Sequence, residues 1–371
     1  MSPVQYHYDK FPPQKLDLAL LLPLIGPASS AVARYDGVLS VIPNATVLLS
    51  PLTTQEAVLS SKIEGTQATM SEVLEFEAKG GRSEIPEEKR QDINEVLNYR
   101  KAMRHAEKGM QELPLCQRII KEVHAVLLEG VRGHGKAPGE YRRIPNWIGP
   151  HGCTMEEARF IPVSAGDLGE AMGKWDLYIN SDTPDRLIQL AILHAELEAL
   201  HPFLDGNGRL GRMCIPLFMH QVGLIHRPMF YISAYFEANR DEYYDRLLAV
   251  SSNGDWSGWC AFFLKAVQMQ AEQNLEKANS IFDLYNKMKL KIVEISHSQF
   301  AIHALDWIFE QPIFNSSDFI RASGIPKATA TRILGVLKED VLQVWAEGRG
   351  NKPAVYGYGD LLNVAEGYKA F

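Results

Sequence analysis

Cysteine is scarce in this chain of 371 residues. Cys116, Cys153, Cys214 and Cys260 are its only four, and no two form a CxxC pair. Their scarcity and spread exclude a disulfide framework or a zinc ribbon as the organising principle and point to a reducing compartment. An excess of positive charge is lacking too. The 38 Lys and Arg are outnumbered by 45 Asp and Glu, for a net charge of -7 and a pI near 5.9. That balance argues against bulk nucleic-acid binding as the main activity. No basic-then-apolar leader opens the sequence, and the apolar run Leu18 to Ile25 is too short to span a membrane and carries Pro23. The expectation is a cytoplasmic protein without membrane contact. Internal repeats and low-complexity tracts are absent, and the length suits two or three units, each with a core of its own.

Helical periodicity is what the chain has in quantity. It runs from about residue 14 to 110, broken by Pro23, Pro43 and the Gly80-Gly81 pair. Ser50-Pro51 supplies an N-cap and a first-turn proline, and Gly65 ends that helix. Leu115 to Leu128 is amphipathic. Between Gly133 and Val163 the texture changes to Gly, Pro and two short extended runs, Arg143 to Ile148 and Ala158 to Val163, which predict a hairpin or flap over 143–163. Helices resume at Ala165, with segments over Arg186–Leu200, from Asn207 to about Gly223, Glu237–Val250 and Trp256–Tyr285. In the tail, Phe300–Phe309, Ser316–Ala322 and Pro326–Leu337 read as helices. Leu342–Trp345 and Ala354–Tyr358 flank the turn Gly348-Arg349-Gly350-Asn351-Lys352. Three helices and a two-stranded wing resemble a winged helix-turn-helix. Such a fold could read DNA with Lys327, Thr329, Thr331 and Arg332 on its third helix, or serve as a docking module. The acidic balance favours docking.

One segment stands apart: His201-Pro202-Phe203-Leu204-Asp205-Gly206-Asn207-Gly208-Arg209-Leu210-Gly211-Arg212. Glycines let a backbone approach an oxyanion closely, and Gly-Asn-Gly opening a helix aims unpaired N–H groups and the positive dipole end at it. Asp205 is short enough to reach a cation riding on the same phosphates. Arg209 and Arg212, three apart, share a helical face. His201 titrates in the range a general base needs. A capped helix after a surface turn would need none of this combination.

The segment resembles the signature of the Fic family, His-Pro-Phe-x-(Asp/Glu)-Gly-Asn-Gly-Arg-x-x-Arg, at every specified position. Upstream, Ser60-Ser61-Lys62-Ile63-Glu64-Gly65 reads alone as an ordinary helix end. Beside that signature it resembles the family's inhibitory motif, (Ser/Thr)-x-x-x-Glu-(Gly/Asn), with Ser60 and Glu64 stacked on one helical face. The resemblance implies a mainly α fold: a Fic-type helical core with a β-hairpin flap, an N-terminal helical inhibitory region and a C-terminal winged-helix-like domain. The expected boundaries are 1–110, 111–285 and 286–371.

It also implies a protein adenylyltransferase that moves AMP from ATP to a Ser, Thr or Tyr hydroxyl of a target protein and of itself. His201 is then the base, and Asp205 holds Mg²⁺. The stretch Asp205, Gly206, Asn207, Gly208, Arg209, Leu210, Gly211 and Arg212 holds the nucleotide. Ser60, Glu64 and Gly65 form the inhibitory element, with Glu64 paired bidentately to Arg212 where the γ-phosphate belongs. Phe203 plugs into the core. For the adenine the family places aromatics after the motif helix, so Tyr243 comes first, Tyr244 second and Trp256 third, while His194 is structural. The flap presents the target by strand addition, and homodimerisation is a further family expectation. Removal of AMP with Glu64 orienting water, transfer from UTP or another nucleotide donor, and a DNA-binding regulator with a nucleotide-sensing core are the alternatives.

Overall fold

Helices account for most of the chain, as the periodicity predicts. The computed structural model describes residues 2–81, 85–150, 152–348 and 352–369. A short strand, β1 (Val4–Gln5), precedes α1 (Leu18–Val41), α2 (Ala45–Leu48), α3 (Ser50–Ile63), α4 (Met70–Ala78), α5 (Glu87–Gly109) and α6 (Gln117–Leu127). Strand β2 (Phe160–Ile161) leads into α7 (Leu168–Ile179), α8 (Arg186–Leu200), α9 (Asn207–Gln221), α10 (Ser233–Ala238), α11 (Arg240–Asn253) and the long α12 (Trp256–Ser296). The remainder is α13 (Ala301–Glu310), β3 (Ile313–Asn315), α14 (Ser316–Ala322), α15 (Lys327–Asp340), β4 (Gln343–Ala346), β5 (Val355–Gly357) and α16 (Gly359–Glu366).

Two compact units interleave along the sequence. One gathers Met1–Asp36, Leu59–Thr66 and Leu97–Glu272, the other Gly37–Val58, Gln67–Val96 and Gln273–Phe371. They do not follow the contiguous segments 1–110, 111–285 and 286–371. Helices α1, α3, α5 and α12 each begin in one unit and end in the other.

In the first unit α8 and α9 form the centre, and the apolar residues on all sides of both mark helices packed on several faces. Asp185 caps α8 by accepting the Ile188 N–H at 2.8 Å. Trp175 from α7 and Trp259 from α12 are fully buried against α8, and their indole N–H groups donate to the Leu193 and Ala191 carbonyls. Helix α1 runs through Pro23 and Pro27 rather than breaking there. Both prolines lie on its exposed N-terminal stretch, where the carbonyls they leave unbonded can be hydrated. The helix is thus long and apolar enough to cross a membrane by length and composition. Its middle nonetheless packs in the unit: Ala28, Ala31, Val32 and Tyr35 are buried, and the Tyr35 hydroxyl donates to the Met229 carbonyl.

The stretch expected as one helix over 237–250 is two, because Asn239 leaves helical geometry (φ −120°, ψ 37°) between α10 and α11. Helix α12 extends eleven residues past the expected end at Tyr285. The flap is slighter than two strands. Ile148 bridges antiparallel to Phe160, and β1 pairs in parallel with the other edge of β2. His151 lies outside the described residues. The N-terminal partner strand has only two residues, too short for any periodic signal.

The second unit carries an antiparallel sheet in the order β3-β5-β4, with Tyr356 paired to both Phe314 and Val344. Helices α13, α14 and α15 followed by β4 and β5 give the element order of a winged helix. Asn315 caps α14 through Asp318 N–H and donates to the Ala78 carbonyl at 2.7 Å. On α15 the Thr331 hydroxyl is turned onto the Lys327 carbonyl, and Arg332 donates to the Ser296 carbonyl. Of the wing turn, Arg349, Gly350 and Asn351 lie outside the described residues.

Candidate active site

The signature segment joins α8 to α9. His201 ends α8 in the left-handed region (φ 47°, ψ 59°), a conformation costing a non-glycine residue about 1–2 kcal/mol. Its Nδ1 lies 3.3 Å from the Glu198 carbonyl. A carbonyl can only accept, so Nδ1 carries the hydrogen and Nε2 keeps its lone pair. Burial pushes the His201 pKa down to about 4, so the ring is neutral at pH 7.

The turn after His201 is braced from several sides. Asn207 accepts the Phe203 N–H and donates to the Phe203 carbonyl, both at 2.9 Å. Its side chain therefore staples the loop. Phe203 is fully buried and stacks on His124 with ring centroids 3.7 Å apart. His124 accepts the Gly139 N–H at Nδ1, so Nε2 carries its hydrogen and donates to the Asp205 carbonyl at 2.9 Å. Burial holds that histidine near pKa 4.

Gly206, at φ 74°, is the N-cap of α9, and its N–H donates to Asp205 Oδ1 at 2.7 Å. The other Asp205 oxygen pairs with Lys136 at 3.0 Å, and Arg209 stands 3.7 Å from Oδ1. Arg209 is buried, and its charge acts on Asp205 and, together with that of Arg212, on Glu64. Leu210 points into the core, while the Gly211 carbonyl accepts from His194 Nδ1.

Arg212 is 1 % exposed at its side chain. Its Nη2 donates to Glu64 Oε1 and to the Ser60 carbonyl, both at 2.7 Å, and its Nε donates to Ser60 Oγ at 2.9 Å. The contact with Glu64 uses one carboxylate oxygen and is not bidentate. Burial works to raise the Glu64 carboxyl, but the charge and hydrogen bond of Arg212 outweigh it, and the group sits below the usual carboxylate range. Glycine is needed at 208 for this seat, since a Cβ there would stand 2.1 Å from Glu64 Oε1. Gly65, at φ 100°, turns the chain away directly afterwards. Two further contacts hold the segment, Lys62 to Glu237 at 3.3 Å and Arg240 to the Ile63 carbonyl.

A cavity of about 540 Å³ brings together Glu64, Ile148, His201, Gly208, Arg212 and Tyr244. Tyr243 is not among its walls. It is 1 % exposed, stacks on Phe236 with centroids 4.5 Å apart, and meets His194 Nε2 through its hydroxyl at 2.9 Å. Trp256 is buried against His7 and Phe11. His194 is buried and depressed to about 3 by desolvation and the nearby Arg212 charge, a structural histidine. Glu198 also reaches the cavity, and burial pushes its carboxyl up to about 7.

A helical fold with a glycine-opened helix start, a neutral histidine beside it and a carboxylate seated on Arg212 defines the class. The chain belongs to the Fic/DOC family. The profile described as Fic/DOC family N-terminal matches residues 22–108, and that described as Fic/DOC family matches 114–219. Among curated proteins, the Protein adenylyltransferase Fic of Drosophila grimshawi is 28% identical over 137 residues, covering 35% of this chain and 26% of that protein. The one from Drosophila mojavensis is 29% identical over 137 residues, 35% of this chain and 24% of that protein. The match thus spans about a quarter of the length of these relatives. A crystal structure of a Fic family protein from Desulfovibrio desulfuricans superposes with a TM-score of 0.56 at 18% identity, covering 94% of this chain and 98% of that one. Fic-1 from C. elegans gives 0.55 at 19%, covering 72% and 75%. At these identities the structural matches speak for the fold.

Proposed function

We propose that this protein transfers AMP from ATP to a hydroxyl group of a target protein and that Glu64 restrains the reaction. The observation carrying this reading is the shared cavity. A neutral histidine with a free Nε2 lone pair lies beside a glycine-opened helix terminus, and a carboxylate occupies the buried Arg212.

In this reading the triphosphate lies over the first turn of α9, where the helix's leading N–H groups have no intrahelical partner. Arg212 receives the γ-phosphate once Glu64 leaves it. His201 Nε2 takes the proton from the target hydroxyl, whose oxygen forms the new bond to the α-phosphorus. The bond from that phosphorus to the bridging oxygen breaks, and pyrophosphate departs. Positioning and charge stabilisation supply most of the rate, because phosphoryl chemistry gives covalent catalysis little to do.

Asp205 suits a divalent cation: its carboxylate is part-exposed, and the ammonium of Lys136 already sits against Oδ2. Among the described residues no group of three or more His, Cys, Asp and Glu gathers to form a protein cage. A magnesium ion would therefore rest on Asp205 and otherwise on phosphate and water, neutralising charge on the leaving group. Asp205→Ala is expected to abolish Mg²⁺-dependent transfer. A variant that keeps both its activity and its metal dependence would place the ligand elsewhere.

For the base, Tyr244 takes the place first given to Tyr243. Tyr244→Ala should weaken ATP binding by about 1 kcal/mol, roughly fivefold. Tyr243→Phe should leave affinity unchanged and cost about 1 kcal/mol of stability through the lost bond to His194. Calorimetric titration and thermal melts of the two variants separate these effects, and the reverse pattern would restore Tyr243 to the binding site. The reaction itself is tested by supplying a cell lysate with ATP labelled at either the α- or the γ-phosphate. Protein-bound label from the α-position alone is expected, whereas label from the γ-position would mean phosphoryl transfer.

A further inference from the structure

Arg142 is a buried guanidinium that, among the described residues, has no hydrogen bond or ion pair to a carboxylate. The residue is 3 % exposed, and all its contacts run to backbone oxygens. Its Nε donates to the His201 carbonyl at 2.9 Å and its Nη2 to the Leu200 carbonyl at 3.2 Å and the Val163 carbonyl. Its Nη1 lies 3.4 Å from the Ile144 carbonyl. Its own backbone N–H donates to the Pro202 carbonyl at 2.9 Å. Burying a charge without a counter-charge is costly and persists only where the geometry demands it. Lysine, with its compact point charge, could not fan out to this many acceptors.

The five acceptors fall into two groups. Leu200, His201 and Pro202 are consecutive, and the middle one is the left-handed histidine. Ile144 and Val163 are the two roots of the flap. A strained residue keeps its conformation only when its surroundings over-determine it, and here one side chain together with its own amide occupies all three successive carbonyls. Asn146 adds a second hold, donating to the His201 and Phe203 carbonyls, each at 3.2 Å.

We infer that Arg142, assisted by Asn146, is a positioning residue that locks the His201 turn to the base of the flap, so that the proton acceptor and the target-presenting segment keep one fixed geometry. This rests on the AMP-transfer reading for its consequence in catalysis but on the hydrogen bonds alone for its geometry. Neither residue is placed to touch the triphosphate, so the clamp should matter to turnover and to the target while leaving nucleotide binding intact.

The test compares wild type with Arg142→Lys and Asn146→Ala. Arg142→Lys keeps the positive charge and so isolates the loss of geometry, and Asn146→Ala removes part of the same hold without touching a charge. Both should lower kcat, Arg142→Lys on the order of 10–100-fold and Asn146→Ala less. The affinity for a non-hydrolysable ATP analogue should stay within about twofold. The second readout is the His201 ring, titrated by NMR. Its charged neighbours Glu64, Asp205 and Arg142 or its lysine replacement retain their charges in both variants. A loosened turn lets water reach the ring, so its pKa should climb from about 4 towards the 6.5 of exposed histidine. Unchanged kcat and an unchanged ring titration would overturn the clamp, as would a loss of analogue affinity that parallels the loss of kcat. A wild-type chain that binds the analogue yet transfers no AMP would count against the reaction alone. The ring titration then decides the clamp, upheld by a shift in both variants and rejected by none in either.

Discussion

Glu64→Gly is expected to raise AMP incorporation about tenfold over wild type. The carboxylate's single bond to Arg212 is charge-assisted and its partner is fully buried, which places the contact at about 1.5–3 kcal/mol. Glu64 itself is 34% exposed at the side chain, so solvent screening pulls the effect towards the lower end of that range. Arg212→Ala should be inactive, and adding Glu64→Gly to it should not restore activity, because the released site would lack its γ-phosphate anchor. Ser60 shares in the hold, accepting from Arg212 at both its hydroxyl and its carbonyl. Incorporation of label from the α-phosphate, measured in all four chains, separates restraint from anchoring. If Glu64→Gly is no faster than wild type, the contact is structural only.

His201→Ala should lower transfer by roughly 10²–10⁴-fold, the contribution of a positioned general base, with ATP affinity retained. The pH dependence adds an independent check. The base works only when neutral, and burial sets its pKa near 4. Transfer should therefore be nearly flat from pH 6 to 8 on this limb and fall only as pH drops towards 4; a fall centred near 6.5 would mean that the ring is solvated in the working enzyme. The same burial links folding to pH. His201, His124 and His194 have folded pKa values of about 4, 4 and 3, below that of the unfolded chain. The unfolded state takes up protons first, so stability present above pH 6.5 is lost as pH falls through these values. Denaturant melts at pH 7 and pH 5 should show the lower stability at pH 5.

Much of the site was legible because its signals are local. The C-terminal end of α3 and the ends of α8 and α9 follow from local signals, whereas Ser50, expected as the N-cap of α3, is its first helical residue and donates its hydroxyl to the Glu310 carbonyl. The motif's residues lie in one unbroken stretch, 201–212, so their convergence needed little knowledge of the fold. The seat of Glu64 on Arg212 was expected only through the family resemblance, because 148 residues separate the pair and nothing in periodicity joins them. The supports escaped notice for the same reason. His124, Lys136, Arg142 and Asn146 are distant in sequence from the turn they brace, and each reads alone as an unremarkable polar residue. Tyr243 and Tyr244 show the opposite limit: adjacent and chemically alike, they are separated by the packing of α11, which buries the first on Phe236 and His194 and leaves the second on the cavity wall. The sequence alone does not set which of the two faces the cavity, because that depends on how α11 packs.

The most direct measurement is incorporation of label from α-labelled ATP into protein by Glu64→Gly and by the double variant Glu64→Gly, His201→Ala. A histidine base in a cavity closed by a removable carboxylate predicts strong labelling by the first and labelling roughly 10²–10⁴-fold weaker by the second, with ATP binding retained in both. Labelling in the double variant that matches the single one, or labelling by the single variant that never exceeds wild type, would contradict the account.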